Sequence, residues 1–153
     1  MEAVSAQITI KRGVERVWEF LTDYDSLARH ITGISRSRLL GARDGYKIVE
    51  QVGRPGLPLL PAEMAVRLRV AERPPSLISF EQIEGSFAAF RGSWELASAG
   101  EGQTLVRYRL AVRPRGWLPQ RLVNPLLRRG MDEALSELKA ALESPQAGAG
   151  PRA

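Results

Sequence analysis

One stretch near the C-terminus constrains the fold more than any other. Between residues 124 and 143, large apolar side chains recur every three or four positions: Leu127, Met131, Leu135, Leu138 and Leu142. That spacing predicts a long amphipathic helix with one apolar stripe. About 20 residues at ~1.5 Å each would span ~30 Å, enough to cross a small domain. The rest of the chain therefore has to supply an apolar surface long enough to cover this helix.

The start of the helix has two interpretations. Asn124 is a favourable N-cap, and Pro125 suits the first helical position, so the helix could begin there. Alternatively, it begins near Leu118, and Pro125 kinks it. Three small residues lie beside the apolar stripe, where they either allow close packing or leave room for another molecule: Gly130, Ala134 and Ala141.

Composition indicates one globular domain. The chain has 153 residues, of which 44% are hydrophobic, and it can bury a substantial core. We expect a single domain over residues 1–143 and a flexible tail over 144–153, which is rich in Gly, Pro and Ala. The chain contains no cysteine, which excludes disulfides, thiolate metal sites and a cysteine nucleophile.

The same sequence bears on location and on partners. No run of about 18 apolar residues is present, and the N-terminus lacks a basic segment followed by an apolar one, so neither a membrane span nor a signal peptide is expected. We expect a cytoplasmic protein. Its net charge of +5 favours anionic partners, including a membrane surface that it could contact peripherally.

Alternation of apolar and polar residues predicts a sheet before the long helix. Residues 3–11 alternate as a first strand, and two short helices are predicted to follow it, around 14–21 and 25–30. Six further strands are predicted at 34–40, 46–52, 62–73, 77–83, 87–96 and 104–112. The fold class is α+β: a curved antiparallel sheet of about seven strands, apolar on one face and wrapped around the C-terminal helix.

Four segments carry a resemblance to a known superfamily. They are residues 17–25 (VWEFLTDYD), 90–96 (FRGSWEL) and 102–108 (GQTLVRY), together with Leu118-Pro119 before the final helix. With the order of elements, they resemble the helix-grip fold of the START and polyketide cyclase (SRPBCC) superfamily. The likeness is nearest to its bacterial cyclase/dehydrase and coenzyme Q-binding-protein group.

The resemblance implies a cavity between the sheet and the C-terminal helix that holds an apolar small molecule, such as a lipid, a quinone or a polyketide. The protein would carry or present that molecule. A polyketide aromatase/cyclase is the alternative, and a ribosome- or partner-binding module is a third. No cofactor or metal is implied. The alternative to a cavity is a solid core built from the same inward-facing residues: Met64, Val66, Leu68, Phe80, Phe90, Trp94, Tyr108, Leu127, Met131 and Leu135.

Two polar residues are candidates for contact with the ligand. Gln82 shares a face with Phe80 by the period of two, so it is either a polar handle for a ligand carbonyl or a satisfied edge amide. Glu50 shares a face with Ile48 and Val52, where a buried carboxylate would need Arg36 or Arg38 as a partner. A register slip of one residue would turn Glu50 outward.

One end of the predicted sheet gathers apolar and basic residues. In an antiparallel meander, the loop at 53–61, the turn at 84–86 and the segment at 113–119 emerge at the same end. We expect a ligand gate there that docks on an anionic membrane or on a carrier, because apolar tips ringed by arginine suit a lipid interface. The alternative is a plug of packed side chains. The gate residues are Arg54, Leu57, Leu59, Leu60, Phe87, Arg115, Trp117 and Arg121.

Catalysis has little support in the sequence. The HExxH, GxSxG and P-loop motifs are absent. His30 is the only histidine, and its position after a short helix is typical of a solvated loop residue. A cyclase would need an acid or base, for which Tyr108, Arg91 and Glu50 are candidates. Nucleic acid is an unexpected partner, because no exposed row of aromatic residues is available for base stacking.

Overall fold

The computed structural model describes residues 3–54, 63–116 and 118–144. The predicted order of elements is confirmed. The strands and helices are β1 (Val4–Ile10), α1 (Val14–Thr22), a 3₁₀ helix (Tyr24–Arg29), β2 (Ile34–Arg43), β3 (Tyr46–Gly53), β4 (Met64–Arg73), β5 (Leu77–Gly85), β6 (Phe87–Gly100), β7 (Gln103–Pro114) and α2 (Gln120–Glu143). The expected flexible tail falls almost wholly outside the described residues.

The strands form one seven-stranded antiparallel sheet in the order β1-β7-β6-β5-β4-β3-β2. Sequential strands pair with each other from β2 to β7, and β1 adds to the far edge beside β7. With α2 across one face, this is the α+β helix-grip architecture that the sequence predicts. None of the helices in the described ranges is long and apolar enough to cross a bilayer.

Strand β4 shows why one face of the sheet is covered. Its buried side chains alternate, with Met64, Val66, Leu68 and Val70 between 2% and 7% exposed, whereas Arg69 points to solvent. Side chains on a strand alternate between the two faces, so this period of two directs the apolar set toward α2. The inner face and the helix together enclose the interior.

Helix α2 is held at both edges of the sheet. On the β1 side, the Arg128 guanidinium donates to the Ser5 carbonyl oxygen at 2.7 Å, and the Lys139 ammonium donates to the Thr9 carbonyl oxygen at 3.0 Å. These interactions satisfy carbonyls on an otherwise open edge strand. On the β2 side, the Thr32 hydroxyl donates to the Glu137 carboxylate. The helix therefore bridges the two edges across the interior.

The start of α2 follows the second interpretation. The helix begins at Gln120, with Pro119 as the N-cap, and Pro125 lies inside it. Asn124 is not a cap; its side-chain oxygen accepts a hydrogen bond from the Gln120 amide at 2.8 Å. Val123 is fully buried, and this anchorage stabilises the turn that precedes Pro125.

The turn between β2 and β3 is tighter than the predicted five-residue loop at 41–45. Strand β2 continues to Arg43, and only Asp44 and Gly45 form the turn, with φ of 51° and 84°. Two successive residues with positive φ suit a two-residue hairpin, which Asp-Gly favours. This turn, residues 74–76 and residues 101–102 lie at one end of the sheet, opposite the gate end, as the sequence predicts.

Candidate ligand-binding site

A cavity of about 200 Å³ lies between α2 and the inner face of the sheet. A smaller one of about 50 Å³ adjoins it toward α1 and the 3₁₀ helix. Both are lined by the same six residues at their junction: Ile31, Ile34, Gln51, Phe90, Trp94 and Tyr108. Arg54, at the mouth, is the one charged residue that lines either cavity among the described residues. The enclosed space is therefore apolar with a few polar groups.

Most of the residues predicted to line the cavity do so. Leu68 and Phe80 line the smaller cavity. Seven others line the larger one: Met64, Val66, Phe90, Trp94, Tyr108, Leu127 and Met131. Leu135 lines neither cavity and is packed within the core.

Trp94 and Tyr108 form the aromatic centre of the cavity wall. They pair directly across β6 and β7, and their rings stack at 3.8 Å with an angle of 4° between planes. Burial raises the pKa of the Tyr108 phenol to about 12, because the anion would lose its hydration. No described residue hydrogen-bonds the Tyr108 hydroxyl or the Trp94 indole N–H. Buried polar tips of this kind normally have a partner, and here both side chains line the cavity.

Gln51 is a lining residue that sequence reasoning missed. Its amide nitrogen donates to the Ser37 hydroxyl at 3.3 Å, and Ser37 is 4% exposed. This bond orients the side chain in the wall of both cavities. Strand β3 gave an ambiguous pattern, because Ile48 and Val52 are apolar as well as Val49. The pairing of Gln51 with Val66 on the unambiguous strand β4 decides which face is inner.

The same register corrects the expectation for Glu50. Its carboxylate lies on the outer face, 3.6 Å from the Arg67 guanidinium, and not beside a ligand. Val49, the preceding residue, is fully buried on the inner face instead. Arg91 also points outward, since its neighbour Phe90 lines the cavity. Neither Glu50 nor Arg91 is therefore placed to act as an acid or base on a ligand in the cavity.

Gln82 proves to be a satisfied amide. Its nitrogen donates to the Phe87 carbonyl oxygen at 2.9 Å, and its oxygen accepts from the Phe87 N–H at 3.3 Å. Both ends of the side chain are used to fix the β5–β6 turn, and Gln82 lines neither cavity. Its role is structural because the strands reverse immediately beyond it.

Two of the small residues on α2 leave room for another molecule. Gly130 and Ala134 line the larger cavity. A Cβ added at Gly130 would meet no atom within 4 Å, so close packing does not explain this glycine. Ala141, about two helical turns beyond Ala134, packs against the core. The helix is thus narrow where it faces the cavity.

The cavity opens between α2 and the end of β3. Gly33, Arg54 and Gly130 are the exposed residues of its lining, and Leu127 beside them is half-buried. The backbone N–H of Arg54 donates to the Gly33 carbonyl at 2.9 Å, which ties this end of β3 to the segment before β2. These residues form the mouth.

The predicted gate residues meet at this end of the sheet only in part. Arg115 donates to the Gly85 carbonyl at 3.1 Å, and Arg121 is exposed on the first turn of α2. Phe87 is wrong as a membrane-facing tip, because it is 6% exposed and packs at 5.2 Å from Phe90 in the cavity wall. Four of the gate residues lie outside the described residues: Leu57, Leu59, Leu60 and Trp117.

The end of the interior opposite the mouth is closed by a polar network. The Tyr24 hydroxyl donates to the Glu72 carboxylate at 2.5 Å, and the Lys47 ammonium donates to the same carboxylate at 3.0 Å. Burial, then the hydrogen bond to Glu72, raises the pKa of Tyr24 well above its usual range. His30 is exposed, with its ring 4.8 Å from that of Phe20. It lines neither cavity.

The chain is similar to a known protein family and to several solved structures. A family model described as polyketide cyclase/dehydrase and lipid transport matches residues 1–143. No curated protein matches the sequence. Among solved structures, a START superfamily protein from Mycobacterium smegmatis is similar with a TM-score of 0.81 and 16% identity, covering 92% of this chain and 97% of that one.

Two other solved structures represent an enzyme and a lipid transfer protein. The ZhuI aromatase/cyclase from Streptomyces sp. R1128 has a TM-score of 0.78 and 17% identity, with 99% of each chain covered. A STAR-related lipid transfer protein from Xanthomonas axonopodis has a TM-score of 0.73 and 15% identity, covering 93% of this chain and 86% of that one. At these identities, the likeness shows the fold alone.

Proposed function

Since the chain belongs to the polyketide cyclase/dehydrase and lipid transport family, we propose that it binds a hydrophobic small molecule under α2 and carries or presents it. The observation that carries this proposal is the apolar cavity of about 200 Å³ with a mouth at Gly130 and Arg54. A well-packed domain rarely leaves such a space, since voids forfeit packing contacts. The space therefore serves to take up a ligand.

The lining defines the chemistry of that ligand. Among the described residues, Arg54 is the one charged residue that lines the cavity, and burying an unpaired charge is costly, so the enclosed part of the ligand is uncharged. The hydroxyl of Tyr108 supplies a hydrogen-bond donor, and its raised pKa keeps it protonated at neutral pH. A carbonyl or hydroxyl on the ligand would accept that bond, as in a quinone or a polyketide.

Volume limits how much of the ligand is enclosed. A dry cavity of about 150 Å³ holds a benzene ring, and drug-sized pockets start at roughly 300 Å³. A space of about 200 Å³ therefore accepts one ring or two, or a short branched chain. A longer isoprenoid or acyl tail would extend through the mouth beside Leu127.

The test combines ligand identification with a cavity-filling variant. Native mass spectrometry of the purified protein, followed by organic extraction, should find an apolar molecule bound. In Ala134→Trp, whose side chain fills the cavity, we expect that molecule to be lost. Ala140→Trp, an exposed alanine on the same helix, is the matched control and should retain it. Equal binding by both variants would contradict the proposal.

Contact with an anionic membrane is a finer part of the same proposal. Arg54, Arg115 and Arg121 lie exposed at the mouth end, and each basic residue near an anionic surface contributes about 1 kcal/mol. The double variant Arg54→Glu/Arg121→Glu should lose binding to vesicles containing phosphatidylserine. Arg43→Glu/Arg73→Glu, at the opposite end of the sheet, makes the same change in charge. Equal losses in the two variants would rule out docking by the mouth.

A cyclase is the second candidate, and one observation favours it. Tyr108 presents a protonated, unpartnered phenol to the cavity, which could polarise a ligand carbonyl as a general acid. An enzyme would convert a poly-β-ketone analogue into a cyclised product, and Tyr108→Phe would abolish that turnover. A carrier would return the analogue unchanged from both proteins.

A further inference from the structure

The outer face of the sheet carries most of the net charge of the protein. On β4 to β7, seven arginines and three glutamates point outward, a net charge of +4 on a chain whose total is +5. Arg69 pairs with Glu81 at 3.3 Å and Arg109 with Glu95 at 4.0 Å. Arg91 has no carboxylate within 4.0 Å among the described residues. This part of the outer face therefore carries more arginines than carboxylates that could pair with them.

A groove of about 670 Å³ crosses this charged face. Its floor is made of small residues, and the register places Ala71 opposite Ser79 and Ser79 opposite Ser93. The floor thus runs perpendicular to the strands. On β7 the floor ends, because Arg109 pairs with Ser93 there, whereas Ala111 pairs with Arg91. A merely solvated face would carry long polar side chains at Ala71, Ser79 and Ser93 as well, whereas here three neighbouring strands carry small residues.

The dimensions of the groove follow from the register. One wall is the row Arg69–Glu81–Arg91, two residues along the strands from the floor. The row on the other side of the floor begins at Arg73 and does not line the groove, so that side is open. Rows four residues apart on a strand are separated by ~13 Å, and an α-helix with its side chains has a diameter of about 10–12 Å. The floor between the two rows is therefore about as wide as one helix, which would lie across the strands against the row of Arg69 and Arg91.

From these features we infer that the outer groove is a docking surface for an acidic α-helix of a partner protein. Carboxylates on the helix would face Arg69, Arg91 and Arg109, while small helix residues would approach the Ala and Ser floor. Arginine is enriched at protein interfaces because its planar guanidinium binds carboxylates with two hydrogen bonds. The site lies on the opposite side of the sheet from the cavity and does not depend on the ligand.

Nucleic acid fits this surface less well. Tyr46 is the aromatic residue at the end of the groove, and the Arg69 guanidinium lies 5.4 Å from its ring centroid, so that face is not free for base stacking. Carboxylates spaced along a helix can instead meet the arginines selectively.

The probe is an alanine-rich helical peptide with glutamates on one face, and its glutamine counterpart is the control peptide. In NMR titrations at low salt, the glutamate peptide should shift amide signals of β4 to β7 around Ser79, Ser93 and Arg91. The glutamine peptide should leave them unchanged. Shifts confined to the mouth, or no binding at all, would overturn the inference.

Substitutions in the protein test whether the peptide binds in the groove. Arg91→Glu/Arg109→Glu should weaken peptide binding by about tenfold or more. Arg129→Glu, an exposed residue on α2, should bind the peptide within about twofold of the wild type, once charge is screened by salt. Ser93→Tyr fills the floor without changing charge and should also weaken binding, whereas Ser98→Tyr should not.

Three outcomes oppose the inference. Unchanged binding in Arg91→Glu/Arg109→Glu or in Ser93→Tyr, with melting curves like the wild type, would show that the groove is not the site. Loss of binding in Arg129→Glu equal to that in the double variant would show only bulk electrostatics. Tighter binding of single-stranded oligouridine through the same arginines would assign the surface to nucleic acid.

Discussion

The two halves of α2 use one apolar stripe for different purposes. In the C-terminal half, Leu135, Leu138 and Leu142 are each at most 1% exposed and complete a solid core. In the N-terminal half, Leu127 is half-buried and lines the cavity, with Gly130 exposed at the mouth. An apolar residue at helical spacing thus faces either packed atoms or open space. The cavity lies where small residues, Gly130 and Ala134, stand beside the stripe.

The two halves of α2 also form hydrogen bonds with different parts of the chain. Lys139 donates to Glu143 at 2.6 Å and to the carbonyl of Thr9, and Glu143 also accepts from the Lys11 backbone N–H at 2.7 Å. The contact between Glu137 and Thr32 lies in this half too. The C-terminal half is therefore tied to Thr9, Lys11 and Thr32. The N-terminal half, beside the mouth, is tied to the sheet by the hydrogen bonds from Arg128 to the Ser5 carbonyl and from Gln120 to the Val112 carbonyl.

The largest effect should come from truncating the stripe in each half. Leu138→Ala should lower the free energy of unfolding by about 2–5 kcal/mol, because it leaves a void among fully packed atoms. Leu127→Ala should cost clearly less, since one side of Leu127 already faces open space. Urea denaturation measures both values. Equal losses would mean that the cavity closes around Leu127 in solution.

Removal of the Tyr108 hydroxyl should weaken ligand binding and leave the stability of the fold unchanged. Tyr108→Phe keeps the stack on Trp94, and no described residue loses a hydrogen bond. The free energy of unfolding should therefore hold, while binding of a quinone should weaken by about 0.5–1.5 kcal/mol. Isothermal titration with a short-chain quinone measures this. Because the pKa of Tyr108 is raised to about 12, wild-type affinity should be constant from neutral pH to mildly alkaline pH.

A substitution at Gly130 should stabilise the helix. An added Cβ meets nothing within 4 Å, and alanine is favoured over glycine in a helix interior by about 0.5–1 kcal/mol. Gly130→Ala should raise the melting temperature, whereas Gly130→Phe should also obstruct the mouth and slow ligand uptake. A melting temperature that falls in Gly130→Ala would show that the glycine is required for packing.

The smallest effect should be a pH dependence in the C-terminal half. The hydrogen bond from Lys139, then that from the Lys11 N–H, lowers the pKa of Glu143 below its usual range. A carboxylate with a lowered folded pKa stabilises the protein above its unfolded pKa of about 4.3, and this is lost as the pH falls below that value. Glu143→Gln should cost about 0.5 kcal/mol at neutral pH, and this cost should shrink as the pH falls through the lowered pKa of Glu143. A constant difference would contradict this origin.

Strands with strict alternation were predictable to the residue. On β4, large apolar residues occupy every second position from Met64 to Val70, and the inner face follows directly. On β3, Ile48, Val49 and Val52 fit either face, and pairing with β4 turns Glu50 outward and Gln51 inward. Gln82 sits on the inner face as expected, but the Phe87 backbone uses both of its polar ends. The two-residue alternation of a strand cannot show such a contact.

By itself, the sequence determined the antiparallel sheet, the order of its elements along the chain and the long helix that covers it, because local spacing of apolar residues sets which face each element buries. Only the tertiary structure decided where the interior is solid and where it is hollow. That depends on how far α2 stands from the sheet, which its ties to Thr9, Ser5 and Thr32 fix through contacts between residues more than 100 positions apart. Such distances leave no trace in the local pattern.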